Sequence, residues 1–254
     1  AALCRCRVVD CGFVLSECAT NWPTCKPLVR QVLKTPEMTS APLARNKQAI
    51  TFNLGSGTHL DAPAHFIPGG RTIDQLLPSE LAPVPLAVVD VSDMVAGDSS
   101  YMCDAAAVRA DEAKHGPIPA GSLVCVRTGW AEARYTSSLQ YCNVLDEQDI
   151  DPTHGLPRMR FPGLTAEAAE LLVGERAARG VGIDSLSPDG GSCGDGKFAA
   201  HHAILGADRY ILENLLLTAE LPARGASVIV APLNVAGAPE APARVWAMVD
   251  TLEG

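Results

Sequence analysis

Gly55-Ser56-Gly57-Thr58-His59-Leu60-Asp61-Ala62-Pro63-Ala64-His65-Phe66 is the stretch on which the reading of this chain turns. It follows a β-rich run at 48–54. Extended backbone sends side chains two residues apart to the same side, so His59 and Asp61 project together. A neutral imidazole beside a carboxylate suits a divalent cation of intermediate hardness, Zn²⁺ or Mn²⁺. A hydrogen-bonded pair bracing a loop satisfies the same two residues equally well. Gly55 and Gly57 remove side-chain bulk next to them, and Pro63 stiffens a turn that carries His65 towards the same side. There His65 either moves protons or hydrogen-bonds to backbone.

A second constellation lies far downstream, in His201-His202-Ala203-Ile204-Leu205 and Ile211-Leu212-Glu213-Asn214-Leu215. Gly206-Ala207-Asp208 between them has the residues of a turn. If the histidine pair is extended, only one of its side chains faces a given site. Glu213 sits among leucines, where a carboxylate either ends an element or has a buried partner, and a metal ion is one such partner. The chain has 6 histidines, and these two stretches hold four of them: His59, His65, His201 and His202.

Around these segments the sequence reads as mixed α/β (α+β) with a substantial sheet. Short strands are expected at 48–54, 85–91, 122–127, 181–184, 227–232 and 244–249. Asp104 caps a helix over 105–114, stopped by His115-Gly116-Pro117, and Thr165 caps another over 166–179 with Gly180 as its stop. The Gly/Pro joints at 68–70, 117–121 and 188–196 are too short for interdomain linkers, so residues 1–254 are expected to form one domain.

Composition removes several classes of function. The 254 residues carry 20 Lys plus Arg against 29 Asp plus Glu, a net charge of −9 with no basic block, which is not the footprint of a nucleic-acid binder. No apolar run reaches the roughly 18–20 residues of a membrane helix. Arg5, Arg7 and Asp10 interrupt the apolar stretch that a secretory leader needs, and the 9 cysteines are an odd number. A reducing, cytoplasmic location is expected, with the thiols free and acting as small buried hydrophobes. Cys4-x-Cys6 lacks a second pair at zinc spacing. The phosphate-loop mimic Gly191-x-x-x-x-Gly196-Lys197 has Phe198 where Ser or Thr must hold Mg²⁺. Ser56 and Ser192 lack a nucleophile-elbow frame, Cys193 has no neighbouring base, and His115 and His154 read as solvated loop residues.

The segment 57–66 resembles the signature of the cyclase-like metal-dependent hydrolases, a family that includes bacterial kynurenine formamidases and isatin hydrolases. Further likenesses follow in the same order: Asn21-Trp22-Pro23, Arg127-Thr128-Gly129-Trp130, Phe161-Pro162-Gly163-Leu164, 182–189, and His201 through Glu213-Asn214-Leu215. The resemblance implies a swivelling β/β/α-type single domain, a homodimer or homotetramer, and hydrolysis of a small amide. It makes His59, Asp61, His201 and Glu213 metal ligands, with Asp61 able to bridge two ions. His65 becomes the proton-transfer residue and Trp22 a wall of the substrate pocket.

One position departs from that family's usual His-x-Gly-Thr-His-x-Asp, because Gly55 stands where the first histidine is expected. Glycine cannot ligate, so one ion is expected rather than two, held by Asp61, His201 and Glu213 with His59 as fourth ligand or hydrogen-bonding neighbour. Asn53 is a weak substitute if the strand stays extended. The resulting expectation is a Zn²⁺- or Mn²⁺-dependent amidohydrolase acting on a C–N bond other than a peptide bond. An N-formylkynurenine-type aryl formamide, as met in tryptophan catabolism, is the leading substrate, and a cyclic amide such as isatin is second. The alternative is a catalytically silent relative that binds a small ligand or a protein through the same cleft.

Overall fold

The structure is a computed structural model and describes residues 6–38, 42, 45–135, 137–152, 155–191 and 197–250. His154, Ser192 and Cys193 lie outside the described residues, as does most of the glycine-rich loop ending at Lys197. Among the described residues, fourteen strands occur in chain order. They are β1 Cys6–Asp10, β2 Val29–Lys34, β3 Lys47–Thr51, β4 His59–Asp61, β5 Val84–Asp90, β6 Met102–Cys103 and β7 Leu123–Arg127. They continue with β8 Ile150–Asp151, β9 Leu156–Pro157, β10 Gly163–Leu164, β11 Gly180–Ile183, β12 Tyr210–Glu213, β13 Ala226–Pro232 and β14 Glu240–Asp250.

Eight of them form one sheet in the order β1-β14-β13-β5-β7-β11-β12-β4, and an additional β14–β4 pairing joins its far end back to β14. Seven strands therefore close into a ring with β1 as an appendage, and no open edge remains along that circuit. The four strands β5, β7, β11 and β12 run parallel, whereas β13, β14 and β4 pair antiparallel. This is the mixed α/β class expected from the sequence.

Alternation along each strand sorts the core into two sets. Leu86 and Val88 of β5, Leu123 and Cys125 of β7, Leu60 of β4, Leu212 of β12 and Ala241 of β14 fill the inside of the ring. Ala87, Val89, Val124, Val126, Val181, Ile183 and Ile211 face outwards and meet the helical layer through Val108, Ala168, Leu172 and Ile204. Apolar residues on both faces explain why β5 reads Val-Pro-Leu-Ala-Val-Val with no polar alternation. The same period of two puts His59 and Asp61 of β4, Glu213 of β12 and Glu240 of β14 on the outer face.

The helix Ala105–His115 starts as expected, with the Asp104 carboxylate accepting from the amide of Ala107 at 2.8 Å. The helix after Thr165 is shorter than its sequence suggests. It runs Ala166–Glu170, passes into a π turn at Leu171–Glu175 and ends at Arg176. Gly180 is thus no helix stop. It begins β11, and a Cβ there would lie 2.4 Å from the Tyr210 ring, so packing is what requires glycine. The run at 48–54 is a strand only to Thr51 and pairs with β2 in a separate, exposed hairpin. Seven cysteines are free thiols among the described residues, yet Cys6 and Cys18 are exposed and Cys25 is half-buried, so burial is not their common property. No helix among the described residues is long and apolar enough to cross a membrane.

Candidate active site

The strand that closes the ring is also the strand that carries the motif. On β4, His59 lies opposite Glu213 of β12 and Pro242 of β14, and Asp61 lies opposite Ile211 and Glu240. Glu213 ends β12 and Glu240 begins β14, so both carboxylates stand on the rim beside β4. His201 comes from above, on the helix Ala199–Gly206, and the following turn leads directly into β12. The His201-His202 pair is therefore helical and not extended. The two rings still diverge around the helix, leaving His201 buried and His202 exposed.

Both buried imidazoles are fixed through Nδ1. That of His59 lies 2.9 Å from the Gly57 carbonyl, which can only accept. His201 Nδ1 lies 2.5 Å from an Asp189 carboxylate oxygen, and Asp189 also accepts from the amides of Ala200 and His201 at 2.7 and 3.2 Å. Each Nε2 is thereby left facing inward. His59 Nε2 is 3.5 Å from Asp61 Oδ1 and 3.3 Å from Glu213 Oε2, while His201 Nε2 is 3.7 Å from Asp61 Oδ2 and 3.3 Å from Glu213 Oε1. Asp61 is 1% exposed, and neither of its oxygens has a hydrogen-bond partner.

These charges pull strongly on each other. Burial opposes a charged ring, yet Asp61 and Glu213 push His59 up to about 10. His201 is likewise raised well above the ordinary imidazole range, burial being outweighed by Asp189, Asp61 and Glu213. Burial also opposes ionisation of Asp61, but the imidazoles of His59, His65 and His201 hold it at about 2. Burial, reinforced by the Asp61 carboxylate, raises Glu240. The cluster demands positive charge at its centre, which protons or a metal ion can supply.

Two sets of side chains bring one ligand atom each to within 4.8 Å of one another: Asp61 with His65 and His201, and His59 with Asp61 and Glu240. His65 ends a short 3₁₀ turn, Pro63–His65, with its Nδ1 3.6 Å from Glu240 Oε2 and its side chain 29% exposed. A cavity of about 240 Å³ opens over the cluster. Trp22, Phe66, Phe198 and Leu186 make its apolar walls; His59, His65, His201, Glu213 and Glu240 make its polar floor. The Phe66 and Phe198 ring centroids are 5.2 Å apart, and those of Trp22 and Phe198 are 6.3 Å apart.

All six residues singled out from the sequence, Trp22, His59, Asp61, His65, His201 and Glu213, meet at this place. Asn53 does not: the chain leaves the extended state after Thr51, and the Asn53 amide donates to the Lys26 carbonyl at 2.7 Å. Three further contributors are not legible as such in the sequence. Glu240 precedes the strand expected at 244–249, although a lone carboxylate in Pro239-Glu240-Ala241-Pro242 beside apolar alternation is a usable signal. Asp189 sits in a Gly/Pro stretch. Phe198 precedes the histidine pair and reads only as a failed phosphate-loop position.

The Cyclase family model matches residues 9–190. The chain is 32% identical over 199 residues to an isatin hydrolase of Roseibium aggregatum, covering 76% of this chain and 71% of the relative. It is 26% identical over 209 residues to a kynurenine formamidase of Bacillus cytotoxicus, covering 82% of each. Among solved structures, isatin hydrolase A from Ralstonia solanacearum superposes with a TM-score of 0.84 at 30% identity, over 96% of this chain and 92% of that one. A ring closed by a His-x-Asp strand, and a match of this extent to both sequence and structure, place the chain in the Cyclase family.

Proposed function

We propose that this protein is a metal-dependent amidohydrolase that opens the C–N bond of a small, uncharged, aromatic cyclic amide of the isatin type. One observation carries the reading. Two imidazoles with their Nδ1 atoms engaged direct Nε2 at a buried carboxylate whose oxygens have no other partner. That donor set suits a divalent ion held by Asp61 and His201. Glu213 Oε1 reaches His201 Nε2 at 3.3 Å, but the sets whose ligand atoms lie mutually within 4.8 Å are Asp61 with His65 and His201, and His59 with Asp61 and Glu240, not the expected Asp61, His201 and Glu213. Nitrogen and carboxylate donors of this kind suit Zn²⁺ or Mn²⁺. Such an ion supplies Lewis-acid polarisation of a carbonyl and acidifies water near neutral pH.

The chain's own side chains do the remaining work. Asp189 and the Gly57 carbonyl fix the tautomers of His201 and His59. His65, at the cleft floor yet open to solvent, takes a proton from the attacking water and returns it to the departing nitrogen. Trp22, Phe66 and Phe198 hold a flat aromatic ring and keep water away from it.

The walls also favour one substrate over the other. A cavity of about 240 Å³ is small beside the roughly 300–1,000 Å³ of typical ligand pockets, which favours a compact bicyclic molecule. Among the described residues, none lining it is Lys or Arg. N-formylkynurenine carries an amino-acid carboxylate that needs such a partner, and isatin does not. The likeness to isatin hydrolases supports the same order, which reverses the one expected from sequence.

The test is hydrolysis of isatin and of N-formylkynurenine by the full chain supplied with Mn²⁺ or Zn²⁺, followed by ultraviolet absorbance. Isatin opening that a chelator abolishes and metal restores is the expected outcome. Metal-saturated protein that hydrolyses neither compound would refute the reading.

A further inference from the structure

We propose that Glu240 and Gly55 together build a second divalent-cation subsite, made by His59, Asp61 and Glu240 and sharing Asp61 with the ion proposed above. The inference rests on that reading for the neighbouring ion, but its geometry is independent. One ligand atom from each of the three side chains lies within 4.8 Å of the others. Glu240 is the register partner of Asp61 across the β14–β4 seam, on the same outer face. Two carboxylates so placed repel unless a cation or proton lies between them.

Position 55 explains how the Glu240 carboxylate reaches its place. A Cβ on Gly55 would lie 2.8 Å from Glu240 Oε2 and 3.2 Å from Glu240 Cδ. The carboxylate therefore occupies the space that any side chain at 55 would take. Glycine is required here for a close approach and not for its backbone angle. A sequence that lacks a ligating side chain at 55 thus admits one from β14.

Asp61 completes the case. Both of its oxygens are buried without hydrogen bonds, and they point to different neighbours, Oδ1 to His59 and Oδ2 to His201. One oxygen is available to each ion. The new set contains two carboxylates and one imidazole, a composition suited to Mn²⁺.

The test is calorimetric titration of Mn²⁺ into the metal-free full chain, with stoichiometry checked by elemental analysis. Parent protein, Glu240→Gln and Gly55→Ala are compared, and thermal melts confirm that each variant folds. The methyl group added by Gly55→Ala meets only the tip of a flexible side chain, so it should displace the carboxylate and spare the fold. The expected result is two ions per parent chain, with one of them weakened at least about tenfold in both variants. A parent that binds one ion overturns the second subsite, as do variants that bind two ions with parental affinity. In both cases hydrolysis still tests the first ion separately, whereas a parent that binds no ion defeats both proposals.

Discussion

Asp189 never touches the cleft, yet it should control metal affinity. Its carboxylate accepts His201 Nδ1 at 2.5 Å and the His201 amide at 3.2 Å on one oxygen, and the Ala200 amide at 2.7 Å on the other. Asp189→Asn keeps the shape but leaves one acceptor oxygen where there were two. An amide NH₂ must then face an N–H donor, which for a buried group costs about 1–3 kcal/mol of stability. If the oxygen stays with His201, the ring keeps its tautomer but loses a charged partner that makes it a better donor to metal. Loss of such an outer partner lowers metal affinity about 10- to 100-fold, or roughly 1.4–2.8 kcal/mol. The two effects separate cleanly. Melting of the metal-free protein reports the first, and competition for Zn²⁺ against a coloured chelator reports the second. An Asp189→Asn protein that melts lower but binds Zn²⁺ as tightly as the parent would show that Asp189 only caps its helix, and the argument for Nε2 direction would fail.

His65→Ala should reduce turnover by about 10²–10⁴-fold while elemental analysis finds the parental metal content; a variant that loses its metal instead would make His65 a ligand, alongside Asp61 and His201. In the metal-free protein His59 is raised from 6.5 to about 10, so its contribution to stability is complete below 6.5 and disappears as pH climbs through 10. Asp61 is lowered from 3.8 to about 2, so its contribution is present above 3.8 and disappears as pH falls through 2. Denaturant midpoints measured across pH should therefore fall at both ends, and His59→Gln should shrink the alkaline limb, His201 supplying what remains. Gly180→Ala drives a methyl to within 2.4 Å of the buried Tyr210 ring and should destabilise by about 1–3 kcal/mol or more, read from urea unfolding.

Much of the site is legible in the sequence because its chemistry is local. Period-two alternation alone puts His59 beside Asp61, and β4 obeys it. Glu213 betrays itself by sitting among leucines, and it is indeed buried at a strand end. The histidine pair is ambiguous because Ala-Ala-His-His-Ala-Ile-Leu suits a buried helix as well as a buried strand, and a run so short has no decisive period. Glu240 escapes for a different reason. Its partnership with Asp61 is a register across 179 positions of chain (240 − 61), fixed by ring closure and invisible to any local pattern. The early end of the helix after Thr165 is similar, since the π turn at Leu171–Glu175 is a tertiary accommodation that propensity does not encode.

β4 is only three residues long, yet without it the circuit of strands is an open curl between β12 and β14. Its His59 lies 3.3 Å from the Glu213 carboxylate of β12 and its Asp61 faces Glu240 of β14, so the reactive cluster is also the clasp of the hoop. A cation lodged among those carboxylates tightens the clasp, and stripping the cluster of positive charge strains it. Catalytic readiness and architectural integrity are thus a single coupled quantity here, and amide protons along the Glu240–Pro242 seam would exchange more slowly as cation occupancy rises.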